Sequence, residues 1–274
     1  MNDRTRHIVI TGAGGGLGAA TARLFAARAW HVIAADLTPP QPHAGISPAQ
    51  VDVTDATSVR DLARRVDELA PDGIQAIVNF AGVMNVGVLV GIDEADLRRV
   101  LDINVIGTYR VNKALFESVR HGRGRIVNLS SETGWQSALM LNGPYAMSKH
   151  AIEAYSDALR RELMFLGVPV IKIQPGPFRT DMIDGIPAAF ARAEQTAGEL
   201  RWLVRRVGAL AANENDHARE PSALAEVIWT AVTTKRPRPA YSIGTDRRRA
   251  LLHYLPARVA DAALRVSLRP GRSS

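Results

Sequence analysis

The chain has 274 residues, enough for one large domain or two small ones, and its 46% hydrophobic content supplies a substantial core. The absence of cysteine excludes disulfides and thiolate metal sites, and the seven histidines show no His-Glu-x-x-His spacing, so no metal site is expected. The net charge of +7 comes largely from arginines dispersed through helical segments, which read as solvated faces rather than as a nucleic-acid surface.

The N-terminal residues run straight into an apolar stretch without a signal-peptide pattern. No apolar run is long enough to span a bilayer, so a cytoplasmic location is expected. Residues 7–11 are strand-like and 16–28 helix-like. Residues 31–35 form a second expected strand and 50–53 a short third, with Pro39, Pro40, Pro42 and Pro48 marking the loop between them. Val59, Leu62, Val66 and Leu69 recur at helical spacing. A fourth strand is expected over 74–80, a long helical stretch over 93–119, and a fifth strand over 125–130. A second long helix covers 144–166, followed by a sixth strand over 168–174 and a seventh over 239–243. Alternating helices and almost continuously apolar strands predict a doubly wound α/β domain, Rossmann-like, with about seven parallel strands buried on both faces. No linker or repeat divides it. Residues 1–245 are expected to form the dinucleotide-binding catalytic unit, and 246–274 a C-terminal extension.

Thr11-Gly12-Ala13-Gly14-Gly15-Gly16-Leu17-Gly18 follows the first strand and opens the first helix. Glycines there permit a tight turn and let backbone N–H groups approach a pyrophosphate at the helix N-terminus. The Walker lysine is absent. Asp36 ends the second strand 18 residues beyond Gly18, where a carboxylate can accept from the adenosine ribose hydroxyls. That position predicts NAD in preference to NADP, because Ala13, Gly14, Gly15, Leu37 and Thr38 offer no cation for a 2′-phosphate.

Tyr145 and Lys149 lie four residues apart on a predicted helix and project from one face. They follow Asn128-Leu129-Ser130-Ser131 at the carboxyl end of the fifth strand, where doubly wound folds hold their ligands. With these residues in that order, the sequence resembles the short-chain dehydrogenase/reductase family, with its steroid- and retinol-active members nearest in the Ser131–Tyr145 region. Thr11-Gly12-x-x-x-Gly16-x-Gly18 matches the family's cofactor loop. Asn79-Phe80-Ala81-Gly82 is similar to its Asn-Asn-Ala-Gly motif, with Phe80 in place of the second Asn. Asn104, Ser131, Tyr145 and Lys149 match its catalytic residues, and Pro175-Gly176 with Thr180 its nicotinamide-contacting segment. The Ser131–Tyr145 interval is one residue longer than the family's commonest spacing.

The resemblance implies a reversible, NAD-dependent interconversion of an alcohol and its ketone or aldehyde. Tyr145 would be the acid/base, Ser131 would hydrogen-bond the reacting oxygen, and Lys149 would lower the tyrosine pKa and hold the nicotinamide ribose. Asn104 would support a water linking Lys149 to solvent. Cofactor contacts are expected from Gly12, Gly14, Gly15, Gly16, Leu17, Gly18, Asp36, Asp52, Val53, Asn79, Ala81, Gly82, Tyr145, Lys149, Pro175, Gly176 and Thr180. Lowering a phenol by two to three units needs roughly 3–4 kcal/mol of differential stabilisation, to come from Lys149 and the cationic nicotinamide.

Trp135, Leu139, Met140 and Leu141 are candidate walls of an apolar substrate pocket. Phe190, Ala193, Ala197, Leu200, Leu203, Val204 and Val207 form an apolar stripe at helical spacing, either a core-facing helix face or, as the resemblance implies, part of a substrate lid over about 181–215. The substrate class is expected to be a lipophilic alcohol or ketone. The extension combines Arg247–Arg249 with Leu251, Leu252, Tyr254, Leu255, Val259, Leu264 and Val266. It reads as a tail packed on the domain or a neighbouring subunit, with peripheral contact to anionic lipid as the alternative. Because the catalytic candidates all precede it, its removal is expected to change substrate affinity or assembly more than the chemistry. A homodimer or homotetramer is expected by resemblance. Two other functional classes remain: a dinucleotide-sensing regulator without turnover, and a sugar-nucleotide epimerase or dehydratase, which the glycine spacing and length disfavour.

Overall fold

The computed structural model describes residues 5–215 and 218–268. Residues 1–4 of the expected catalytic unit and 269–274 of the expected extension lie outside the described residues, as do the side chains of Arg247 and Arg248. Seven strands, β1 (Arg6–Thr11), β2 (Trp30–Asp36), β3 (Ile46–Gln50), β4 (Ala76–Asn79), β5 (Arg125–Leu129), β6 (Val170–Pro175) and β7 (Ala240–Ile243), form one sheet in the order β3-β2-β1-β4-β5-β6-β7. Every neighbouring pair is parallel. The strand order reverses between β1 and β4, and the crevice at that switch point lies at the strands' carboxyl ends.

Alternation along β1 explains the two-sided core. Ile8 and Ile10 point to one face, where they meet Phe25 of helix α1 (Gly16–Ala27) together with Leu224 and Ile228. Val9 points to the other, against Val59, Leu62 and Val66 of α2 (Ala56–Leu69). All three β1 residues are fully buried, each side chain contributing about 1.5–3 kcal/mol on burial.

Two elements differ from the sequence expectation. The third strand covers Ile46–Gln50 rather than 50–53, and Pro48 lies inside it. β3 is the sheet's edge, where a proline can be accommodated without breaking a two-sided ladder. Residues after Gln50 leave the strand as a loop, starting with Val51, whose N–H donates to the Asp36 carbonyl at 2.9 Å. The expected helix over 93–119 is divided into α3 (Glu94–Leu101), a π-helical turn (Asp102–Gly107), α4 (Thr108–Ala114) and α5 (Phe116–His121). The π turn contains Asn104 and brings Gly107 against Val53, where a β-carbon would lie 2.7 Å from Val53 Cγ2.

α6 (Gly143–Leu163) starts beside the carboxyl end of β5, with Pro144 in its first turn, a position that needs no intrahelical N–H bond. After β6, α7 (Asp181–Asp184), α8 (Ile186–Thr196) and α9 (Arg201–Asn215) precede α10 (Pro221–Thr233). Ala193 and Ala197 pack with Val204, Leu141, Val86 and Val88, so the apolar stripe closes on the loops after β4 and before α6. The chain then continues through β7 to α11 (Arg247–Tyr254) and α12 (Ala257–Leu268). Among the described residues, no helix is long and apolar enough to cross a membrane.

Candidate active site

A cleft of about 410 Å³ opens at the switch point. Gly12, Gly15, Gly16, Leu17, Gly18, Asp36, Asp52, Val53, Ala81, Gly82, Ser131, Tyr145, Lys149, Pro175, Gly176 and Thr180 line it. Of the sequence-derived candidates, Gly14, Asn79 and Asn104 do not.

The glycine loop has the shape of an anion cradle. A β-carbon on Gly18 would run into the Gly12 carbonyl, so only glycine lets α1 begin this close to the loop. α1 has no side-chain cap and no acidic residue in its first turn, leaving its first N–H groups available to a negative ligand. At the far end, Asp36 accepts from the N–H groups of Gly14 (2.9 Å) and Thr38 (3.0 Å). Gly14 therefore supports Asp36 although it does not face the cleft. Asp52 accepts from the Thr54 N–H (2.8 Å) and hydroxyl (2.6 Å), bonds that hold its carboxyl below the usual range. These residues fit an anionic dinucleotide cofactor, with the glycine cradle and Asp36 lining one cleft.

Asn79 and Asn104 brace the walls. Asn79 Nδ2 donates to Asn112 Oδ1 (2.7 Å) and Asn128 Oδ1 (3.0 Å), tying β4 to α4 and β5. Asn104 Oδ1 accepts the Val83 N–H (2.8 Å), while its Nδ2 donates to the Val83 carbonyl (2.9 Å) and Ser148 Oγ (3.0 Å). It thus joins the loop after β4 to α6 between Tyr145 and Lys149.

On the α6 side of the cleft, Lys149 Nζ lies 5.4 Å from the Tyr145 ring centre and donates to the Leu129 carbonyl at 2.8 Å. Ser131 Oγ lies 3.5 Å from the Pro175 carbonyl and accepts the Thr133 N–H at 3.2 Å. Burial dominates both titrating groups. Loss of hydration pushes the Tyr145 phenol up to about 12, against a lowering hydrogen bond from Ser131, and brings Lys149 down to about 8. The expected lowering of the phenol is thus absent in the protein alone. Lys149 is not among the groups that shift the phenol, whose lowering influences are the Ser131 hydrogen bond and the Arg249 charge.

Other cleft residues escaped the motif reading. Leu37 and Val51 adjoin Asp36 and Asp52, and Val83 follows Gly82, so adjacency could have marked them. Arg99 and Ile103 come from α3 and the π turn, and no local pattern marks them. Met140 and Leu141 pack with the α8–α9 cluster, whereas Trp135 lies against His253 of α11, ring centres 6.2 Å apart.

Comparison with known proteins identifies the family. Residues 6–189 match the family model for short chain dehydrogenase. Retinol dehydrogenase 16 of Rattus norvegicus is 31% identical over 94% of this chain and 87% of its own length. The 17-beta-hydroxysteroid dehydrogenase type 6 of Homo sapiens is 30% identical over the same shares. Among solved structures, a short-chain dehydrogenase from Streptomyces avermitilis has the same fold at TM-score 0.72 and 23% identity, covering 100% of both chains. One from Burkholderia cenocepacia in complex with NADP superposes at TM-score 0.74 and 20% identity, over 98% of this chain and 100% of that one. By sheet order, glycine cradle and family match, this chain belongs to the short chain dehydrogenase family of NAD(P)-binding oxidoreductases.

Proposed function

We propose that the protein interconverts a lipophilic primary or secondary alcohol and its aldehyde or ketone, using NAD in preference to NADP. The observation that carries this reading is one cleft lined by Asp36 and the glycine cradle at one end and by Ser131, Tyr145 and Lys149 at the other. Bound NAD supplies the hydride acceptor. In oxidation Ser131 hydrogen-bonds the alcohol oxygen and Tyr145 takes its proton; in reduction Tyr145 returns it. Lys149 would hold the nicotinamide ribose, and its ammonium would favour the phenolate. Asn104 fixes the loop after β4 and supports a water path from Lys149.

The retinol and hydroxysteroid named in two relatives point to an extended apolar substrate. The apolar contacts of Leu141, Ala193 and Val204 support residues 181–215 as its lid. In the same reading, 1–245 is the catalytic unit and the chain acts in the cytoplasm as a homodimer or homotetramer. Exposed Leu251, Tyr254, Val259 and Val266 on the tail would give peripheral membrane contact.

An NADH-absorbance screen over retinoids, steroids and secondary alcohols, run beside cofactor thermal shifts, tests the reading. Turnover of an apolar alcohol supports it. Cofactor stabilisation without turnover of any alcohol would instead favour a dinucleotide-sensing regulator.

A further inference from the structure

Sequence order separates the tail from the reactive residues, but the fold returns α11 to the turn that carries Ser131. Glu132 directly follows Ser131, and its side chain is only 8% exposed; that of Arg249 is 14% exposed. Glu132 Oε2 accepts the Asp246 N–H at 2.8 Å, and Oε1 accepts from Arg249 Nη1 at 3.3 Å. Arg249 Nη2 donates to Thr133 Oγ1 at 3.2 Å. Asp246 opens α11, its carbonyl accepting the Ala250 N–H at 3.0 Å. The carboxylate therefore grips both the start of the tail helix and a guanidinium one turn along it.

The gripped turn has little freedom elsewhere. Thr133 N–H donates to Ser131 Oγ, and Gly134 N–H to the Ser131 carbonyl at 3.0 Å. Gly134 sits so close to α6 that a β-carbon would lie 2.8 Å from the Lys149 carbonyl. Movement at the tail side is thus transmitted to Ser131, because the α6 side has no slack.

We propose that Glu132 and Arg249 are positioning residues through which the docked tail helix orients Ser131 and sets the charge beside Tyr145. This rests on the assignment of Ser131 and Tyr145 as the reactive pair. Lys149 of α6 lies over the Tyr145 ring, and the charges of Glu132 on the turn and Arg249 on α11 act on its phenol; Arg99 and Asp181 line the same cleft, and His253 of α11 packs edge-on against Trp135. Glu132 disfavours the phenolate and Arg249 favours it. Removing one partner unbalances the pair in a direction fixed by which partner goes.

The experiment compares the full chain with Arg249→Met, Glu132→Gln and the double variant. Arg249→Met is expected to lower kcat roughly tenfold, leave NADH affinity within about twofold, and move the rising limb of alcohol oxidation to higher pH. Glu132→Gln is expected to move that limb to lower pH, and the double variant to lose no more than the worse single. Wild-type kcat and an unmoved limb in Arg249→Met would overturn the proposal. Amide exchange supplies a readout independent of turnover: residues 131–135 exchange faster in Arg249→Met while β1 and β2 do not change. Unaltered exchange in the turn also overturns the proposal, whereas faster exchange in a protein that oxidises no alcohol sinks only the functional reading. Should Arg249→Met fail to fold, Arg249→Lys keeps the charge without the guanidinium fork and is expected to show the same signs at smaller amplitude.

Discussion

The Asp36 carboxylate accepts the backbone N–H of Gly14 at 2.9 Å, which fixes a negative charge beside the glycine loop. A β-carbon on Gly14 would lie 2.9 Å from Asp36 Cγ, so the loop cannot carry a side chain there, cationic or otherwise. Two unit charges 4 Å apart interact by about 4 kcal/mol at an effective dielectric of 20, and screening reduces this. The expected preference in kcat/KM for NAD over NADP is about a hundredfold, near 2.7 kcal/mol. Asp36→Ala should narrow it. Equal or better efficiency with NADP would remove Asp36 from the ribose site and point to Arg99, a cation on the cleft wall, as a phosphate ligand.

Gly18→Ala tests the cradle. The added methyl meets the Gly12 carbonyl, a backbone atom that cannot swing away. NADH affinity is expected to fall by about tenfold or more, because the loop must open to admit the methyl and the N–H groups then lose their common focus. Fluorescence titration of NADH measures it, and unchanged affinity would show that the cradle does not hold the cofactor.

Asn79 separates two readings of one motif residue. Its side chain bonds Asn112 and Asn128 rather than facing the cleft. Asn79→Ala should cost about 1–3 kcal/mol of stability by leaving buried partners unpaired, with little change in NADH affinity. A large loss of affinity at unchanged stability would instead make Asn79 a direct cofactor contact.

The parts of the site readable in the sequence are those whose geometry is local. The glycine run beside β1, and Tyr145 one helical turn before Lys149, are spacings that secondary structure converts directly into position. Pro48 misled because a proline breaks a central strand but not an edge strand, and edge position is a property of the whole sheet. The π turn at Asn104, with Gly107 packed close on Val53, is a departure from the regular helix that helical periodicity does not encode. Glu132 and Arg249 are 117 positions apart, and no pattern along the chain relates them. The upward push on Tyr145 likewise arises from tertiary enclosure, whereas the sequence suggested only the lowering influences of Lys149 and a cationic nicotinamide.

Tyr145→Phe removes the phenol oxygen proposed to carry the proton and keeps the ring. Turnover is expected to fall by about a thousandfold or more, within the span assigned to general acid–base catalysis, while NADH affinity stays near that of the wild type. Wild-type turnover in an assay limited by hydride transfer would exclude Tyr145 as the acid/base.

Lys149 carries a stability prediction whose sign is set by its burial. Its pKa falls from 10.5 to about 8 in the folded protein because the ammonium loses hydration. Between these values the unfolded chain holds the proton and the native chain releases it, so stability rises with pH across that window. Below pH 8 both states are protonated and the native state bears the full cost of the buried charge, about 3 kcal/mol. Replacement by methionine removes the titration while keeping most of the apolar volume. Lys149→Met should therefore be more stable than the wild type at pH 7 without cofactor, even as it loses activity. The difference should shrink by about 1 kcal/mol between pH 7 and pH 9, as the wild-type lysine sheds its proton. Tyr145 does not interfere, because its raised pKa acts only above pH 10, where it lowers stability as pH rises. Urea unfolding of both proteins at the two pH values measures the effect. A stability difference that does not change with pH would mean that Lys149 keeps an ordinary pKa in the folded protein.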